Sequence, residues 1–198
     1  MRNFLFLCFL LMSFDAVAKR DFTVFGELRC GRNSCYERET GALFNGVARS
    51  YYQNGVVKSN IEYNDGLKDG AARYYYDNGH ERRQEFYIKG VLNGRVTEYY
   101  DDGNIKFEIE YDGGKKNGVY RSYYEGGVLK VEEKYNDGKI DGRAHKYNAR
   151  GKVIREAVYN EGVLVDGACF GPNGKDRRTF TYEMIEAYNK RKIVPCDI

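Results

Sequence analysis

Apolar and polar residues alternate along most of this chain in short stretches, and glycine interrupts the stretches on a fixed beat. In Ile105-Lys106-Phe107-Glu108-Ile109-Glu110-Tyr111 every second residue is apolar, the period of a strand with one face turned to a core. Alternation predicts that Ile105, Phe107, Ile109 and Tyr111 share the core face, as do Val57, Ile61 and Tyr63, while Lys106, Glu108 and Glu110 point the other way. One stretch breaks the rule: Glu81, Arg83 and Glu85 fall on the expected core face and Phe86 on the other. Each stretch is about seven residues long, which suits strands and is too short for helices.

The beat is a repeat. Gly46, Gly70, Gly94, Gly118 and Gly142 lie 24 residues apart, and Gly55 and Gly66 head two further glycine columns with the same period. Tyrosine keeps step from Tyr51 to Tyr147 and from Tyr63 to Tyr159. Columns in phase mark a stacked architecture. Asn54-Gly55, Asn78-Gly79, Asp102-Gly103 and Gly126-Gly127 are hairpin-turn pairs, because such residues tolerate positive φ. The expected fold is all-β, an extended antiparallel meander of five 24-residue hairpin repeats in which residues 24 apart stack in rows.

Turn type decides the register of the first strand in each copy. A two-residue type I′ loop pairs Tyr52 with Val57, whereas a type I turn closed by a bulge glycine pairs Tyr51 with Val57. The fifth copy reads Ala149-Arg150-Gly151, and arginine is strained at positive φ, so the bulge-glycine turn is favoured. The Tyr51 row is then expected on the core face, and Tyr52, Tyr76, Tyr100 and Tyr124 are expected to face out. Lys58, Arg82, Lys106 and Lys130 recur with the same period beside those outward tyrosines, and both rows end in the fifth copy, at Asn148 and Ile154. These eight residues form the expected binding stripe for an acidic partner or anionic headgroups.

The ends of the chain depart from the beat. Met1-Arg2-Asn3, the apolar run Phe4 to Phe14 and the small residues Ala16 and Ala18 read as a signal peptide over residues 1–18, cleaved after Ala18. The eleven apolar residues fall short of the roughly 20 that span a bilayer. Export makes disulfides the expected state of Cys30, Cys35, Cys169 and Cys196. Four cysteines allow three pairings, and the shortest loops are Cys30–Cys35 and Cys169–Cys196. A zinc site fits poorly, because one pair is Cys-x4-Cys without a nearby histidine and the other is distant. Residues 19–42 are expected to cap the first edge of the array at 43–167, and residues 168–198 the last. In that second cap Thr179 is expected to start a short helix running to about Arg191, with Phe180, Met184, Ile185 and Tyr188 as its apolar stripe.

Composition removes several classes of function. The net charge of +3 is spread rather than clustered, which argues against nucleic acid as a partner. The chain has two histidines, His80 and His145, and no nucleophile elbow, phosphate loop or paired-histidine metal motif. No enzyme activity, metal or cofactor is expected.

The pattern Tyr-Tyr-x-Asn-Gly, followed by an alternating strand ending in tyrosine and then x-x-Gly-x-x-x-Gly, resembles the MORN-repeat variant family over residues 43–167. That family includes the bacterial proteins grouped as YwqK-type antitoxins. The resemblance implies a β-hairpin array that binds, with no catalytic residue. Its implied partner is a protein, such as a toxin that this chain neutralises in the periplasm or outside the cell; anionic membrane lipid or an envelope scaffold is the alternative.

Overall fold

The computed structural model describes residues 23–31, 34–190 and 196. The expected signal peptide, Cys8 within it and residues 19–22 of the expected first cap lie outside the described residues. The described chain opens with β1 (Thr23–Val24), a 3-10 turn at Phe25–Glu27, and a small hairpin of β2 (Leu28–Cys30) and β3 (Cys35–Glu37). Long strands follow: β4 (Gly46–Tyr51), β5 (Val57–Asn64), β6 (Leu67–Tyr75) and β7 (Glu81–Ile88). The two-residue β8 (Val91–Leu92) precedes β9 (Gly94–Tyr99) and β10 (Ile105–Asp112), and β11 (Lys115–Lys116) precedes β12 (Gly118–Tyr123) and β13 (Leu129–Asn136). The chain closes with β14 (Lys139–Tyr147), β15 (Val153–Asn160), β16 (Val163–Cys169), β17 (Arg178–Thr179) and the helix α1 (Tyr182–Asn189).

Two kinds of turn alternate and set the meander. Between β4 and β5 the Gly55 N–H donates to the Tyr52 carbonyl at 3.0 Å and the Tyr52 N–H to the Val56 carbonyl at 2.8 Å, with Gly55 at φ +83°. This is a type I turn closed by a bulge glycine, and it pairs Tyr51 with Val57 as the sequence predicts. The link from β5 to β6 is tighter. Asp65 and Gly66 both take positive φ, +47° and +73°, as a two-residue type I′ turn requires. Among the described residues fifteen strands join in one mostly antiparallel sheet. Only β1 runs parallel to its neighbour, β4, because the chain crosses the β2–β3 hairpin before it returns to the sheet.

A second bulge lies just beyond each bulge-glycine turn and overturns part of the expected facing. Ser50 pairs with Ser59 but Tyr51 with Val57, so Lys58 is an extra residue. Arg82, Lys106, Lys130 and Ile154 occupy the same place in later hairpins. An extra residue reverses the alternation beyond it. Ile105 therefore leaves the face of Phe107, Ile109 and Tyr111, and Lys106 joins it: its Nζ lies 3.0 Å from Glu98, which pairs with Phe107 across the ladder. Val57 likewise parts from Ile61 and Tyr63. The Tyr51 row is on the reverse face and not in the core; Tyr123 donates to Glu108 there at 3.2 Å, and Tyr51 is 39% exposed. Tyr52, Tyr76, Tyr100 and Tyr124 are half-buried on the core side instead of facing out.

Both ends of that core face are covered, and by different elements. At the first end the β2–β3 hairpin and Phe44 bring Leu28 and Cys35 onto Ala48, Ile61, Tyr63 and Ala72. At the far end Phe180 and α1 lie on Ala144, Ala157, Tyr159 and Leu164. Small side chains under each cap let the overlying elements approach the sheet. Gly167 carries this furthest, since a β-carbon there would stand 2.4 Å from the Phe180 ring. The helix begins two residues later than expected: Thr181 and not Thr179 caps it, accepting from the Met184 N–H at 3.4 Å, and Thr179 ends β17. Phe180 precedes the helix, and Asn189 ties its last turn to both backbone groups of Leu164, at 3.0 and 2.9 Å. Cys30–Cys35 and Cys169–Cys196 are joined as disulfides, the pairing expected from loop length.

Candidate functional site

Between the caps, strands β7, β9, β10, β12 and β13 present an uncovered stretch of the core face. Its aromatic floor is Phe107, Tyr111, Tyr120 and Tyr135, half-buried side chains with no cap over them. Phe107 and Tyr120 lie 6.0 Å apart between ring centroids, and Tyr120 meets Tyr135 edge-on at 6.3 Å. Lys116 reaches over both tyrosines, 5.2 Å from the Tyr120 centroid and 4.7 Å from that of Tyr135, within the range at which a ring face attracts a cation. Lys68 repeats the arrangement beside the first cap, over Tyr87 at 4.6 Å and bonded to the Tyr74 hydroxyl at 3.2 Å. There the face runs into a cleft of about 420 Å³ bordered by the Cys30–Cys35 hairpin, Tyr63 and Lys89.

The stretch that breaks alternation supplies an ion-pair network to this face. Arg83 donates to Glu85 at 2.7 Å and to Glu98 at 2.9 Å, and its guanidinium lies 5.7 Å from the Phe107 ring centre. Glu98 also holds Lys106 at 3.0 Å. Burial alone would raise the Glu98 carboxyl, but the hydrogen bonds from Lys106 and Arg83 outweigh it and hold the group below the usual carboxylate range. Glu85 is buried and accepts a further bond from the Tyr87 hydroxyl at 2.9 Å, and Glu133 does the same for Tyr135 at 2.9 Å. Glu81 stands apart from the network, because the bulge at Arg82 turns it to the reverse face.

Burial and neighbouring carboxylates raise the core-face tyrosines. Tyr63 and Tyr74 are both pushed up to about 12, by burial first and then by the neighbouring Tyr74 and Glu85 respectively. Tyr87 and Tyr135 move the same way, by burial and then by Glu85 or Glu133. A folded-state value above the unfolded one, about 10, favours the fold fully below pH 10, and that contribution is lost as pH rises toward 12. The urea midpoint is expected to hold steady to about pH 10 and to fall above it, together with the tyrosinate absorbance.

The structure brings the predicted stripe together pair by pair. Lys58 lies 5.6 Å from the Tyr52 ring centre, Lys106 5.9 Å from that of Tyr100 and Lys130 5.3 Å from that of Tyr124, while Arg82 is within electrostatic reach of Tyr76. These tyrosines also have a structural task invisible in the sequence. Each hydroxyl donates to a backbone carbonyl of the following hairpin: Tyr52 to Tyr75 at 2.7 Å, Tyr76 to Tyr99 at 2.8 Å, Tyr100 to Tyr123 at 2.8 Å and Tyr124 to Tyr147 at 2.9 Å. Asn148, which ends the row, reaches the Pro172 carbonyl at 2.7 Å. The ring faces remain available and the hydroxyls do not. Tyr100→Phe is expected to lower stability by about 1 kcal/mol in urea denaturation, the worth of one such bond.

Sequence reasoning missed Lys68, Lys116 and the link from Arg83 to Glu98. The misplaced charges Arg83 and Glu85 were the signal for the network; the clamping lysines left none, because each draws its rings from two strands. On the reverse face Arg95 meets Glu110 at 2.9 Å and Glu108 at 3.6 Å, and Arg121 meets Glu132 at 2.8 Å.

No curated protein matches the chain. The MORN repeat variant family matches three segments, residues 44–65, 92–112 and 116–137, which leave out the stretch carrying Arg83 and Glu85. Over those segments the chain is similar to a family whose repeats are in general protein- or membrane-binding modules.

Proposed function

We propose that this protein is an exported, non-enzymatic binding module that docks a protein partner on the uncovered stretch between its caps. The observation that carries this reading is that both caps cover the same face and leave Phe107, Tyr111, Tyr120 and Tyr135 open between them. Aromatic side chains held in place by neighbours suit a docking surface, since they offer large contact area at low entropic cost. The polar groups there are engaged with one another, as in the Arg83–Glu98 pair, which favours a fixed surface over a free base or nucleophile. Two disulfides belong to an oxidising environment, and cleavage after Ala18 would deliver the chain there.

Neutralisation of a toxin acting outside the cytoplasm is the form of this function favoured by the resemblance to antitoxins. The test is to isolate the mature protein with its partner from the host envelope or medium and footprint the complex with hydroxyl radicals. Protection of Phe107, Tyr111 and Tyr120 is expected, with Tyr51 and Tyr99 unprotected. Protection confined to the Arg95–Glu110 face would sink the proposal. The first residue of the isolated chain should be Lys19, and co-expression should restore growth to cells exposed to the captured toxin.

A further inference from the structure

On the reverse face Arg95 and Arg121 are held by carboxylates. On the core face the carboxylates Glu85, Glu98 and Glu133 are already engaged by Arg83, Lys106, Tyr87 and Tyr135. Among the described residues Lys58, Arg82 and Lys130 have no carboxylate within ion-pair distance, and all three are exposed. Their uncompensated charge lies along one row, because the bulge places one cation per hairpin at the same height on the same face.

We infer that this row, in the docking module proposed above, receives an extended acidic segment of the partner protein, with carboxylates at every third residue. Successive row cations are two strands apart, roughly 9.6 Å at the usual strand spacing. A polyproline-II chain rises about 3.1 Å per residue and presents the same side every third residue, roughly every 9.3 Å. The two periods agree closely enough for carboxylates of the segment to face Lys58, Arg82 and Lys130, with a further one sharing Lys106 with Glu98. The supports are preset: each of Lys58, Lys106 and Lys130 lies over a tyrosine whose hydroxyl is fixed to the next hairpin. Twist argues against a flat anionic membrane as the occupant. Sheets turn by roughly 20–25° per strand, so the row rotates by more than a right angle between Lys58 on β5 and Lys130 on β13. A plane meets one or two of the four cations, whereas a flexible chain follows them all.

Fluorescence anisotropy of the purified protein with two labelled peptides of equal composition tests this. One peptide carries four glutamates at every third position in a proline-rich chain, the other four glutamates in a block. The spaced peptide is expected to bind about tenfold tighter than the blocked one and to weaken with salt. K58E/R82E/K106E/K130E is expected to lose at least about 30-fold in affinity for it, as is the milder variant with glutamine at all four positions, while K134E/R143E on the reverse face binds normally. Circular dichroism checks that each variant is folded. Equal binding of both peptides, unchanged binding by the glutamine variant, or tighter binding to phosphatidylserine vesicles than to the spaced peptide each overturns the inference. If the natural partner footprints on the open face while the spaced peptide fails, only this inference falls; if the footprint is on the reverse face, the docking proposal falls with it.

Discussion

Phe180→Ala is expected to be the most damaging single substitution in the far cap, lowering its stability by about 3–4 kcal/mol. The ring is 7% exposed and rests directly on Gly167, where a β-carbon would stand 2.4 Å away. Its loss leaves a cavity over a residue with no side chain to fill it, and the backbone cannot move in, because Gly167 is fixed in the sheet opposite Ala157 and accepts the Phe180 N–H at 2.8 Å. Arg155 also loses a ring 5.8 Å from its guanidinium. Phe180→Leu, which keeps most of the volume, should recover more than half of the loss. Hydrogen exchange is the suitable readout, since hairpins that contact only their neighbours open locally. Amides of β16 and α1 should exchange faster while those of β9 and β10 keep their protection. Equal loss throughout the sheet would mean that the cap and the array unfold as one unit.

Removing the Cys169–Cys196 bridge in a double serine variant is expected to cost about 3 kcal/mol, and removing Cys30–Cys35 about 2. The difference follows from loop length, 27 residues against 5, because the longer loop restricts the unfolded chain more. The larger bridge also anchors Cys196 beside Met184, Ile185 and Tyr188 on the buried cluster. Reduction should therefore release α1 first, exposing Tyr159, whose hydroxyl lies 3.1 Å from that of Tyr188. Denaturant midpoints with and without reductant measure both effects. A larger shift for the short bridge would contradict the ranking.

The 24-residue period, the strand lengths, the bulge-glycine turn and the disulfide pairing were legible because each depends on residues close together in the chain or on counting them. Arg150 before Gly151 marks the bulge-glycine turn, because arginine is strained at positive φ, whereas the type I′ form of the Asp65-Gly66 link was seen only in the structure. Facing was not legible in the same way. Lys58 carries no mark of an extra residue, since a bulge belongs to the pairing of two strands, and only the ladder from Ser50–Ser59 to Tyr51–Val57 reveals it. With a side-chain period of two, that single residue sent the Tyr51 row to the reverse face and brought Lys58 and Tyr52 to the core side. The candidate site was half visible: the cation and tyrosine rows could be read as periodic columns, but not the hydroxyl bonds that fix the rings or the lysines clamped between strands. That both caps settle on one face and leave its middle open was decided by the tertiary structure alone, because it depends on which residues 24 apart in sequence present small side chains for an overlying element to approach.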